Sequence, residues 1–325
     1  MRQWIRTRRT LTKHSIPSAA FDTPFGIAGY PAPVKSALDA TEEERFRAYE
    51  AKWAEGGSIS FLYSFTDLLI HKESNETASE FVRRKIRATV KHPKTAELLC
   101  PNDHPIGTKR LILDTDYYET YNRDNVTLVD IRSKPIKEIT PTGLRTADAD
   151  YALDAIVFAT GFDAMTGAMK EIDIHNAGMS VREKWEHGPR TYLGIMIAGF
   201  PNLFMITGPQ SPGVKSQMIL ACEQHVDWIA DCMQYLRDHG LSRIEAEEGA
   251  ENAWVQHNNE VADRTLYPLA NSWYVGANIP GKPRVFMPYV GGVTAYKKKC
   301  DEIAIRGYEG FRLSSCIEEQ RLAAD

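Results

Sequence analysis

The 325 residues predict an α/β fold with a helical first third, and three features of the pattern predict it. Residues 155–159 (AIVFA) form a continuous apolar run that stops at Thr160-Gly161. Apolarity without alternation means burial on both faces, as in the middle of a parallel sheet. Residues 203–207 form a second such run, ending in Gly208-Pro209-Gln210-Ser211-Pro212-Gly213 ahead of a long helical pattern. Strand, glycine-rich turn and helix is the arrangement that sets a helix start against a ligand.

In chain order, residues 15–40 are rich in Pro, Gly and Ala and read as an irregular connection. Thr41 with Glu44 three residues on is a capping box that opens a helix, and Gly56-Gly57 supplies its stop. Thr77 with Glu80 repeats the device, with Pro93 ending that helix. Phe81, Val82, Ile86 and Val90 fall on one face at helical spacing, so these helices pack on something else. The pattern then changes to short strands at 126–129 and 136–139, with Pro141-Thr142-Gly143 as a turn. The long helix is expected over 216–239, with Gly240 past its end. Met218, Cys222, Val226, Ile229, Met233 and Leu236 are expected on its buried face.

Composition narrows the function classes. A net charge of -4 gives no reason to expect a nucleic-acid partner, and 43% hydrophobic with 25% charged residues is ordinary for a soluble globular protein. No run approaches the roughly 18 apolar residues of a membrane span. Five dispersed cysteines suit reduced thiols and a cytoplasmic setting rather than a disulfide framework. The basic start (Arg2, Arg6, Arg8, Arg9, Lys13) reads as an exposed segment before a mitochondrial presequence. The Asn-x-Thr matches at Asn75 and Asn125 read as chance. The nine histidines show no metal-ligand spacing, so no metal is expected, and there is neither a Gly-x-Ser-x-Gly elbow nor a Walker-type loop.

Longer motifs go further. NSWYVGANIPGKPRVFMPYVGG from Asn271, followed by GYEGF, stands with FATGFDAMTGAM from Phe158, GPRTYLGIMIAGFPNLFMITGPQSP from Gly188, CEQHVDWIADCM from Cys222 and GTKRLILDTDYYETYNRDNVTLVD from Gly107. Together, and in this order, they closely resemble the Baeyer–Villiger monooxygenases of the phenylacetone, cyclic-ketone and steroid type. The resemblance implies FAD and NADPH as cofactors, a ketone and O2 as substrates, and an ester or lactone as product. The fold it implies is a partial flavoprotein with two incomplete Rossmann-like, dinucleotide-binding domains. Residues 1–105 would be the helical insert region, 106–161 the remaining part of the NADP-binding domain, and 162–325 the C-terminal half of the FAD-binding domain.

The same resemblance exposes a departure. The family's FAD- and NADP-binding Gly-x-Gly-x-x-Gly turns have no counterpart, because no two of the 22 glycines are separated by a single residue. The family's Phe-x-Gly-x-x-x-His fingerprint is also missing. The expectation is therefore an N-terminally truncated form. The rival is a non-catalytic chain, or half of a split enzyme that needs a companion chain bearing the missing turns.

The resemblance also assigns site residues. Arg110 matches the family's catalytic arginine, whose permanent charge suits an anionic adduct in a dry pocket. Lys109 matches a position that touches NADP with it. Trp273 matches the residue that reaches the nicotinamide ribose from a mobile loop, and its bland alternative is a core Trp. Met218 matches a position whose backbone meets the flavin, and it reads equally as plain core. Thr160, Gly161 and Asp163 match the crossing between domains near the cofactors, although Asp163 also suits a surface turn. Lys215 departs from the small, apolar residues usual on the substrate side, so no substrate preference carries over.

Overall fold

The computed structural model of the protein describes residues 32–213 and 217–315. The basic N-terminal segment and Lys215 lie outside the described residues. Two compact units result, one of Lys35–Gly107 with Leu111–Phe162, the other of Thr108–Arg110 with the chain from Asp163 onward.

The first unit begins with α1 (Glu42–Glu55), α2 (Ser58–Leu62), α3 (Lys72–Thr89), α4 (Pro93–Leu99) and α5 (Tyr117–Thr120). The capping box at the start of α1 is complete. Thr41 accepts from Glu44 N, and Glu44 accepts from Thr41 N at 2.8 Å. Gly56 ends α1 at φ 75°. The second predicted box fails, because α3 opens at His71 without a side-chain cap. Tertiary bonds fix its first turn instead. Asn75 donates to Leu68 O at 2.6 Å and Ile106 O at 2.9 Å, and Ser74 donates to Asp67 at 2.5 Å. Asn75 is thus buried, which removes it as a glycosylation acceptor in the folded unit. Thr77, freed from capping, donates to Ser74 O at 2.8 Å. Pro93 stands at the start of α4, where its missing N–H costs nothing.

Phe81 and Ile86 are buried as the helical spacing requires, with Tyr49, Phe61, Phe65 and Leu68 around Phe81. Burial works to raise the carboxyl pKa of Asp67, but donors from Ala37, Ser36 and Ser74 outweigh it and hold the group below the usual range. The unit also holds a three-stranded antiparallel sheet of β1 (Ile136–Thr140), β2 (Gly143–Thr146) and β3 (Asp150–Ala152). The predicted Pro-Thr-Gly turn joins β1 to β2, and a Cβ on Gly143 would sit 1.9 Å from Tyr151 O, so only glycine fits.

Two expected strands of this unit do not form. Residues 126–129 are irregular, and so is the apolar run 155–159. Val157 is 88% exposed and Phe158 69%. A central strand needs ladder partners for its N–H and C=O groups on both edges, and none of the described residues supplies them here.

The second unit contains α6 (Gly167–Glu171), the short pair β4 (His175–Asn176) and β5 (Met179–Ser180), and α7 (Val181–Lys184). After these come α8 (Met218–Asp238), β6 (Arg243–Ala246), α9 (Glu248–Asp263), α10 (Val293–Ile305) and β7 (Phe311–Ser314), with β6 and β7 paired antiparallel. Its main core joins Tyr192, Met196, Trp228, Ile244, Trp254, Tyr296 and Phe311. Residues 203–207 are irregular rather than extended in a ladder. The extent of α8 agrees with expectation and its buried face does so in part, with Leu236 buried, Ile229 packed against the core, and Cys222 and Val226 half-buried. Leu220, Ala221, Gln224, His225, Trp228, Cys232 and Leu236 face inward, whereas Met218 and Met233 are exposed. No described helix is long and apolar enough to cross a membrane, and no described group of side chains is arranged to hold a metal ion.

Candidate active site

The chain leaves the helical unit for three residues only. Thr108–Arg110 belong to the second unit, while Gly107 and Leu111 on either side belong to the first. Gly107, at φ 83°, makes the bend, where an added Cβ would lie 2.7 Å from the Leu62 side chain. Thr108 is fully buried, Lys109 half-buried and Arg110 exposed. The Arg110 charge is felt by two buried phenols, Tyr267 and Tyr274. Burial raises both. Tyr274 is pushed up to about 12, and Tyr267 higher still, with Arg110 pulling each part of the way back. Both hydroxyls are therefore neutral near pH 7.

Tyr274 follows Trp273 directly in a single 3-10 turn, Trp273–Val275. The indole is half-buried and meets the Tyr274 ring edge-on at 4.3 Å. The surrounding loop is closed by its own bonds. Ser272 accepts from Tyr274 N at 3.3 Å and, through its carbonyl, from Ala277 N at 3.0 Å. Lys282 then ties the loop to Asp163, by an ion pair, and to Ala164 O at 2.9 Å. Asp163 is thus a partner for an almost fully buried ammonium rather than a bare turn residue.

The turn ahead of α8 packs on the same loop. Met287 N donates to Tyr274 O at 2.8 Å, and Met287 O accepts from Gln210 N at 2.5 Å. Tyr289 N donates to Ser211 O at 2.9 Å, and Pro212 bridges to Tyr289 in parallel. Met218, at the first turn of α8, lies with its sulfur 3.9 Å from the position a Cβ on Gly213 would take.

The second unit thus gathers Tyr274, Trp273, the loop to Lys282, Asp163 and the 208–213 turn through bonds, and Arg110 belongs to the same unit. Thr160 and Gly161 belong to the first unit, two residues before the chain crosses at Phe162–Asp163, and both are exposed. Gly161 adopts φ 88° with open space where a side chain would be. Tyr267, Tyr274, Gln210 and Lys282 escaped the sequence reading, because aromatic, Gln and Lys residues in a loop carry no spacing signal of their own. A groove of about 640 Å³ in the helical unit is lined by Phe46, Arg47, Tyr49, Glu80 and Phe81 among others and contains none of the site residues.

The fold is that of a flavoprotein monooxygenase. The protein superposes on a steroid monooxygenase bound to NADP with a TM-score of 0.85 and 46% identity, covering 96% of this chain and 58% of the other. It superposes on an OTEMO structure complexed with FAD and NADP with a TM-score of 0.86 and 40% identity, covering 91% of this chain and 55% of that one. No protein-family model matches. The chain is 40% identical over 283 residues to a Baeyer–Villiger monooxygenase of Pseudooceanicola batsensis, a match covering 86% of this chain and 51% of that protein. Over most of its length the chain is therefore homologous to the Baeyer–Villiger monooxygenases, and it spans about half the length of the curated relatives it matches.

Proposed function

We propose that this chain supplies the guanidinium-bearing half of an active site for FAD- and NADPH-dependent oxygen insertion next to a ketone carbonyl. The observation that carries the reading is that Thr108–Arg110 group with the second unit, which also holds Tyr274 and Trp273. The residues present fit the ring end of a dinucleotide: two cations, a half-buried indole and a helix start. They do not fit its diphosphate, which needs a glycine-rich turn that these 325 residues lack.

Bound flavin, once reduced by NADPH, supplies the activation of dioxygen. Arg110 would stabilise negative charge developing at the reacting oxygens, because its guanidinium keeps its proton at working pH. Lys109 would touch NADP, and Trp273 would reach the nicotinamide ribose. The backbone at Met218 would meet the flavin, and Thr160, Gly161 and Asp163 would lie at the crossing near the cofactors. On this reading residues 106–161 are the return part of the NADP-binding domain, and 162–325 the C-terminal half of the FAD-binding domain. The proposed setting is cytoplasmic, where thiols such as the buried Cys232 and Cys300 stay reduced.

A second reading is favoured by the exposed run Val157, Phe158 and Phe162. Apolar surface of this kind calls for a covering partner. The turns then come from polypeptide outside these residues, on a companion chain or a longer product, and the isolated chain is inactive. The visible spectrum of purified chain decides between the two. Bound flavin with ketone-stimulated NADPH oxidation rejects the dependent-half reading. A colourless protein that regains flavin only with polypeptide bearing Gly-x-Gly-x-x-Gly supports it. In whichever assembly is active, Arg110→Ala lowers oxygen insertion about 100- to 1,000-fold while NADPH oxidation stays measurable. Ester or lactone formation that survives this change overturns the assignment of Arg110.

A further inference from the structure

Gln210 makes more directed bonds than any other side chain and backbone around the turn, and none of them is needed to form the turn itself. Its residue is fully buried at φ 65°, a left-handed conformation that a non-glycine residue adopts only when its surroundings hold it there. Its amide N–H donates to Met287 O at 2.5 Å, and its carbonyl accepts from the Trp254 indole N–H at 3.1 Å. Its side-chain Oε1 accepts from Thr191 N at 2.9 Å and lies 2.7 Å from Thr191 Oγ1. Its Nε2 donates to Pro189 O at 2.7 Å. Every polar group of the residue has a partner, and the partners lie on three separate stretches of chain: 189–191, α9 and 287.

The consequence lies in where those stretches lead. Met287, held from one side by Gln210, holds Tyr274 from the other through its own N–H. Tyr274 is one of the two phenols that feel the Arg110 charge, and it adjoins Trp273. The 208–213 turn and the Trp273 loop are therefore joined through Met287, with Ser211 and Tyr289 as a parallel link.

We infer that Gln210 is the positioning residue that couples the turn ahead of α8 to the Tyr274–Trp273 loop, so that the two move as one piece beside Arg110. Its side chain clamps the turn to residues 189–191, and its backbone passes that constraint to Met287. The functional weight of this coupling rests on the reading of Arg110 and Trp273 above, whereas the coupling itself does not.

Amide hydrogen exchange on the chain as it stands tests the coupling without cofactor. Gln210→Met keeps length and volume and removes the side-chain bonds. It is expected to speed exchange about tenfold at the amides of Arg190 and Thr191 and also at those of Met287 and Tyr289, while the middle of α10 keeps its protection. Gln210→Gly relieves the left-handed strain yet removes the same bonds, so it behaves like the Met variant. Gln210→Glu keeps the acceptor for Thr191 and recovers part of the protection. Should the Met variant fail to fold, Thr191→Val deletes one hydroxyl partner and gives a smaller acceleration at the same amides. Faster exchange confined to 189–191 and 208–213, with Met287 and Tyr289 unchanged, overturns the inference. So does a Gly variant that matches wild type. In an active assembly, Gln210→Met lowers kcat and raises the KM for NADPH together, whereas Arg110→Ala lowers kcat. Normal exchange coupling with unaltered kinetics therefore points to a failure of the site reading, not of the coupling.

Discussion

His225 offers a stability measurement with a built-in pH signature. The imidazole is fully buried on α8. Its Nδ1 accepts from Thr207 N at 2.8 Å, which fixes the proton on Nε2. Nε2 in turn faces the Tyr296 hydroxyl at 2.7 Å, and that hydroxyl donates to Leu193 O at 2.5 Å. Burial pushes the His225 pKa from 6.5 down to about 4. The unfolded chain thus binds a proton between these values that the folded chain refuses. The contribution is fully present above pH 6.5 and is lost as the pH falls to about 4. At about 1.4 kcal/mol for each tenfold difference, the full contribution is about 3 kcal/mol, most of it gone by about pH 4.5.

His225→Phe removes the acceptor and the titration together. Near pH 7 it strands a Thr207 N–H in a largely dry place, at a cost of about 1–3 kcal/mol. The stability gap between wild type and variant should therefore shrink as the pH falls, and nearly close by about pH 4.5. Urea unfolding followed by tryptophan fluorescence at a series of pH values measures the gap, with carboxylate titration common to both proteins and cancelling in the difference. A gap that stays constant from pH 7 to 4.5 refutes the buried, neutral imidazole.

Gly194 stands at φ 69°, and an added Cβ would lie 2.6 Å from Ser211 Cβ and 2.9 Å from Pro209 O. Gly194→Ala is expected to destabilise the second unit by roughly 2 kcal/mol or more, read as a lowered urea midpoint, whereas Gly240→Ala meets open space and pays only for its backbone angle. Cys232 and Cys300 are buried, and that burial pushes both thiols up to about 12. A thiol reagent at pH 8 should label neither until denaturant is added, and mass spectrometry of the labelled peptides checks this.

Local chemistry alone made several elements legible. The capping box at Thr41 and Glu44 involves residues three apart, and it forms as read. The Pro-Thr-Gly turn and the extent of α8 are likewise written within a few neighbouring residues. The five matched motifs, taken in order, were enough to indicate the flavoprotein monooxygenase fold that the superpositions bear out.

Contacts distant in sequence decided the rest. Which face of α8 turns inward follows from partners such as Tyr296 for His225, 71 residues away, and no stripe of apolar residues along one helix reports that. The start of α3 is set by Asn75 reaching Ile106, not by the Thr-x-x-Glu pattern inside the helix. The apolar run at 155–159 carries the composition of a central strand, yet a ladder also requires neighbours on both sides, and composition cannot provide them. By itself the sequence, through its ordered motifs, determined the likeness to the flavoprotein monooxygenases. Only the tertiary structure decided that Thr108–Arg110 group with the chain from Asp163 onward, because that grouping is made by packing between segments distant in sequence.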